Sequence, residues 1–151
     1  SREVDSYNYG YVYRCGRLRD VAVDSFSNIY VLSGLSVIKY DASGALLWVG
    51  GGGEALTVDS TGNVYVTGAK DEWCVTTKYD SEGAEVWNAR YWSGLIAHYG
   101  TGSEPGDIAV DSSGNVYITG TSIYKICPAW WHMDITEEEY LEYITIKYSQ
   151  Q

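Results

Sequence analysis

Short runs of alternating β-branched and aromatic residues, bounded by Asp, Asn, Ser and Gly, organise this chain, and one such pattern occurs three times. Val21-Ala22-Val23-Asp24-Ser25-Phe26-Ser27-Asn28-Ile29-Tyr30-Val31 returns as Leu56-Thr57-Val58-Asp59-Ser60-Thr61-Gly62-Asn63-Val64-Tyr65-Val66 and as Ile108-Ala109-Val110-Asp111-Ser112-Ser113-Gly114-Asn115-Val116-Tyr117-Ile118. A second unit follows each copy: Ile38-Lys39-Tyr40-Asp41, Thr77-Lys78-Tyr79-Asp80 and Ile146-Lys147-Tyr148-Ser149. The alternation predicts strands near 21–23, 29–32, 37–40, 45–48, 56–58, 64–67, 75–79, 84–87, 108–110, 116–119 and 144–148. In the Asp-Ser-x-Gly-Asn turn the aspartate caps with its carboxylate and glycine takes the left-handed position. Ser27 stands where the other copies have Gly62 and Gly114, so the first turn is expected to be the most strained.

The fold class is therefore all-β: three four-stranded antiparallel meanders near 20–49, 55–91 and 107–148, the blades of a β-propeller. These residues resemble the SBBP-type repeat, the "seven-bladed β-propeller" repeat of bacterial and archaeal exported proteins. Its pattern is Ala-Val-Asp-Ser-x-Gly-Asn-Val-Tyr-Val-Thr-Gly, then Thr-Ile-Lys-Tyr-Asp-x-x-Gly and a Trp, here Trp48 and Trp87. The resemblance covers most of residues 20–120 and returns at 144–148; it implies a fold and an exported protein, and brings no shared catalytic set. Trp48 and Trp87 hold matching positions and are assigned to packing between blades.

At the chain's start, Asp5 precedes Asp24 by 19 positions, much as Asp41 precedes Asp59 by 18. Residues 5–15 then match a turn and a lone fourth strand, Tyr9 to Arg14, able to complete the last blade, or a neighbour's, against Ile144–Tyr148. The expectation is one propeller domain, or part of one, closed by further blades from a second copy or a longer chain.

Composition narrows the partners. Twenty acidic against ten basic residues give a formal charge of −10 over 151 residues, which disfavours nucleic acid. No apolar run approaches the roughly 20 residues that span a bilayer. Cys15, Cys74 and Cys127 form no CxxC pair; a disulfide from Cys127 to Cys74 or Cys15 is one option and three separate thiols the other.

Variation in loop length falls on one face of the expected ring, and binding usually sits on such loops. The candidate residues there are Tyr91, Trp92, His98 and Tyr99 in one connection and Trp130, Trp131 and His132 in the long Ser122–Glu142 segment. Paired tryptophans can stack on sugars or cover the insertion's own small core. Thr136-x-x-Glu139 reads as a capping box that opens a short helix within 135–142. The histidine spacing matches no zinc site, the turn aspartates supply too few carboxylates for calcium, and Gly50–Gly53 lacks the Lys of a P-loop, so no metal or cofactor is expected. The leading function is a non-enzymatic extracellular or cell-surface scaffold that makes protein contacts or self-assembles. The alternative is a glycan-binding module, and a third is an enzyme using Glu137–Glu139 and His132.

Overall fold

The computed structural model describes residues 17–70, 73–91, 102–126 and 138–148. Their elements are all strands: β1 (Leu18–Val23), β2 (Ile29–Ser33), β3 (Ser36–Tyr40), β4 (Leu46–Gly51), β5 (Ala55–Val58), β6 (Val64–Lys70), β7 (Trp73–Tyr79), β8 (Glu85–Tyr91), β9 (Gly102–Val110), β10 (Val116–Ile126) and β11 (Glu138–Tyr148). They form three antiparallel sheets in the orders β1-β2-β3-β4, β5-β6-β7-β8 and β9-β10-β11. The expected closing strand at Tyr9–Arg14 lies outside the described residues.

Each first turn is built alike. Asp24 Oδ1 accepts from the Phe26 and Asn28 amides at 2.8 and 2.9 Å, while Oδ2 accepts from Asn28 Nδ2 at 2.8 Å and the Tyr30 hydroxyl at 2.9 Å. Asp59 and Asp111 repeat this set, reaching the Tyr65 and Tyr117 hydroxyls at 3.0 and 3.1 Å. Both carboxylate oxygens are thus occupied within the turn, which accounts for the three aspartates as caps. Ser27 adopts φ 65° where Gly62 and Gly114 adopt 84° and 80°, so the first copy carries the left-handed strain foreseen at that position.

Alternate residues of each sheet face opposite neighbours, and the core lies between the sheets. Tyr30, Leu32 and Val37 of sheet 1 pack on Leu56, Val64, Val66 and Tyr79 of sheet 2. Ala55, Tyr65 and Cys74 of sheet 2 pack on Ile108, Val116 and Ile118 of sheet 3. Trp48 bridges the first pair, its ring 6.1 Å from Tyr30 and 5.9 Å from Tyr79, and Trp87 bridges the second, 6.1 Å from Tyr65 and 6.0 Å from Tyr148. Polar bonds join sheet 1 to sheet 2 as well: Lys39 Nζ and Trp48 Nε1 donate to the Ser81 carbonyl at 2.9 and 3.1 Å, and Asp20 Oδ2 accepts from the Leu56 amide at 3.0 Å.

Two expectations need correction. The helix placed within 135–142 is absent from its described part: Glu138 to Glu142 belongs to β11, paired in register with Ile126 to Ser122. A continuous ladder to β10 bonds alternate residues along that whole stretch, which a helix nucleus of one or two turns cannot outweigh. Of the expected Ser122–Glu142 loop, residues 122–126 and 138–142 are therefore strand, Glu138 and Glu139 among them. Tyr91 likewise belongs to no loop; it ends β8 opposite Cys74 and is half-buried.

Candidate functional site

The hairpin β6–β7 is longer than its counterpart in sheet 1. β2 and β3 turn at Gly34-Leu35, whereas β6 and β7 continue through the pairs Ala69↔Cys74 and Lys70↔Trp73. Strand pairing places Val66, Gly68, Lys70, Trp73, Val75 and Thr77 on the face of sheet 2 directed at sheet 1, with Asn88 and Arg90 beside them on β8. Val66 is covered by sheet 1, but the overhanging end is not. A cavity of about 210 Å³ lies there, lined by Lys70, Trp73, Val75 and Arg90.

A second cavity, of about 380 Å³, shares Lys70 and Val75 with it and runs between the two sheets. Its walls include Gly51, Gly52, Gly53, Glu54, Thr77 and Asn88. The glycines line it for a packing reason. The Gly53 amide donates to the Ser33 carbonyl of sheet 1 at 3.1 Å and the Glu54 amide to the Thr67 carbonyl of sheet 2 at 2.8 Å, so the linker is stapled to both sheets. Side chains at Gly52, Gly53 and Gly68 would collide with backbone, and the linker is held close. Asn88 Nδ2 donates to Thr77 Oγ1 at 2.8 Å, which fixes the amide that borders the cavity.

The charges here stand against the rest of the molecule. Lys70 and Arg90 are two of ten basic residues in a chain with twenty acidic ones. Behind this face, Cys74 is a free, buried thiol 3.5 Å from Thr67 Oγ1. Burial pushes the thiol's pKa up; the Thr67 bond lowers it by less than burial raises it, and the Glu54 charge adds a smaller rise, so the nucleophilic thiolate is suppressed. Among the described residues no group of three or more His, Cys, Asp or Glu side chains could hold a metal ion.

Of the residues singled out in the sequence, Tyr91 packs with the sheet 2–sheet 3 core beside Cys74. Trp92, His98, Tyr99, Trp130, Trp131 and His132 lie outside the described residues, as do Cys15 and Cys127. Lys70, Trp73, Glu54 and Arg90 were not singled out. Their signal is the cross-strand register, which sets Lys70 beside Trp73 and Arg90 beside Val75 once hairpin lengths are known.

With this geometry in hand, the comparisons bear on the fold. The family model described as Beta-propeller repeat (SBBP) matches residues 92–123. No curated protein matches the chain. Among solved structures, the chain is similar to a protein of unknown function from Bacteroides caccae, with a TM-score of 0.53 at 13% identity. The similarity covers 71% of this chain but only 42% of that one. All-β sheets of three and four strands, stacked face to face, agree with a propeller-like fold. Among the described residues no helix is long and apolar enough to cross a membrane.

Proposed function

We propose that this chain is a non-catalytic propeller scaffold, acting outside the cell or at its surface, that docks further blades on the outer faces of its sheets and presents its loop end to partners. One observation carries the reading. Register places Val21, Val23, Val31, Ile38 and Val49 on the side of sheet 1 away from sheet 2, and Val21, Val23 and Val49 are 63%, 62% and 57% exposed. The same positions in sheet 2, Leu56 and Val66, and in sheet 3, Ile108 and Ile118, are buried by the preceding sheet. An apolar surface of this kind is a receiving face without its donor.

The donor has a counterpart at the other end. Tyr117 and Lys147 of sheet 3 pair as Tyr30 and Lys39 do, the ammonium 5.3 Å from the ring centre in both, and Asp107 matches Asp20, each bonded to the following amide at 2.8 Å. Sheet 3 therefore offers outward what sheet 1 offers to sheet 2. Resemblance to repeats of exported proteins supports the extracellular setting. Light scattering and native mass spectrometry on the chain and its Val21→Glu, Val49→Glu double variant test the scaffold reading. Self-association lost in the variant is expected; a wild-type chain that stays monomeric at high concentration would refute the docking role.

A further inference from the structure

We propose that the overhang of sheet 2 binds an acidic saccharide, taking the carboxylate of a uronic acid unit between Lys70 and Arg90 and the apolar face of its ring against Trp73. This goes beyond the scaffold reading and stands on separate residues. Lys70, Trp73, Val75 and Arg90 sit on three adjacent, hydrogen-bonded strands, so the cavity of about 210 Å³ is shaped by a sheet. No carboxylate among the described residues forms an ion pair with Lys70 or Arg90.

The chemistry then selects the ligand. Two cations line one small cavity in a protein of formal charge −10, where a chance surface would carry carboxylates. Arginine's planar fork matches a carboxylate in two parallel hydrogen bonds. Trp73, 37% exposed at the rim, and Val75 add apolar surface suited to the C–H face of a pyranose rather than to a small inorganic anion. The adjoining cavity, of about 380 Å³ and bordered by Glu54, Thr77 and Asn88, has hydroxyl-matching groups and room for a further sugar unit. A chain of several units is thus favoured over a free monosaccharide. Asp71 and Glu72 follow Lys70 in the sequence and lie outside the described residues.

Calorimetric titration with trigalacturonate tests the site, with the neutral galactose trimer, triglutamate and inorganic phosphate as competing probes. Wild-type protein should bind trigalacturonate, and Arg90→Gln, Lys70→Gln and Trp73→Ala should each weaken binding about tenfold or more. Arg19→Gln, on β1, should leave it unchanged, and Asp71→Asn with Glu72→Gln should leave it equal or tighter. Thermal midpoints close to wild type separate lost binding from lost folding. Equal binding by the first three variants would overturn the proposal. So would a neutral trimer, triglutamate or phosphate that binds as tightly as trigalacturonate.

Discussion

Gly52→Ala is the sharpest probe of how the sheets are joined. A Cβ at Gly52 would collide with Ser36 N and Leu35 C and lie 2.5 Å from Ser33 O. All three atoms belong to the β2–β3 turn backbone, so no rotamer change relieves the clash and the linker itself must shift. That shift strains the Gly53 bond to Ser33, 3.1 Å long, and through it the Glu54 bond to Thr67. Overpacking costs about 1 to 3 kcal/mol and a lost buried hydrogen bond about 1 kcal/mol, while alanine's smaller unfolded-state entropy returns roughly 0.4 to 1 kcal/mol. The net loss is about 1 to 3.5 kcal/mol. Gly34→Ala is the control: its added methyl meets nothing within 4 Å and its backbone is not left-handed, so it should be neutral or slightly stabilising. Urea unfolding followed by tryptophan fluorescence reads both. With a slope of about 2 kcal/mol/M, Gly52→Ala should lower the midpoint by roughly 0.5 to 1.8 M. A midpoint within about 0.3 M of wild type, or an equal loss from Gly34→Ala, would refute the stapled-linker account.

Three further outcomes follow from the same structure. Ser27→Gly should raise stability by a few tenths to about 1 kcal/mol, and Gly62→Val should lower it by about 1 to 2 kcal/mol, since φ at these positions is 65° and 84°; unchanged denaturation midpoints for both would contradict the turn geometry. Acid should weaken the fold. Burial works to raise the Asp24 and Asp59 carboxyls, yet their hydrogen bonds together, those from Asn28 and Asn63 foremost, outweigh it, and bonds led by those from Asn115 hold Asp111 down, so all three lie below the usual 3.8. The unfolded chain then binds more protons, and stability present above about pH 5 is lost as pH falls through the folded values; a urea midpoint that is flat from pH 6 to 3 would be the contrary result. Lys39→Met, which removes the donor to Ser81 at a position 5% exposed, should lower stability by about 1 to 2 kcal/mol, and an unshifted melting curve would show that the bond contributes nothing.

Local chemistry made much of this architecture legible. The Val-Ala-Val and Val-Tyr-Val runs alternate with period two, and Asp24, Asp59 and Asp111 hold turns whose geometry depends on residues at most six positions away, so the sequence window contained all the relevant atoms. The matching places of Trp48 and Trp87 foretold their packing between sheets for a related reason, since repetition turns a local pattern into a neighbour's pattern. What escaped was set by length and register. Thr136 and Glu139 carry a helix-start signal, but the continuation of β10 to Ile126 gives residues from Glu138 onward a ladder, and a short-range signal yields to it. The Lys70–Trp73–Arg90 cluster exists only because one hairpin outreaches the hairpin of the preceding sheet, a difference between two segments roughly 35 residues apart. The aromatic loop candidates, Trp92 and Trp130 among them, fall outside the described residues.

The bond between each turn aspartate and its tyrosine gives the stack a direction. The Tyr30 hydroxyl is held by Asp24 while its ring packs toward sheet 2, and Tyr65 is held by Asp59 while its ring packs toward sheet 3. Lys39, Trp48 and Asp20 reach the same way, toward residues that come later in the chain. Sheet 1 thus points its polar hooks forward and its aliphatic face backward, and the aromatic rings of sheet 2 repeat the forward direction. A ribosome releases the chain in that same order, so each finished sheet already displays the fittings for the one still to be made.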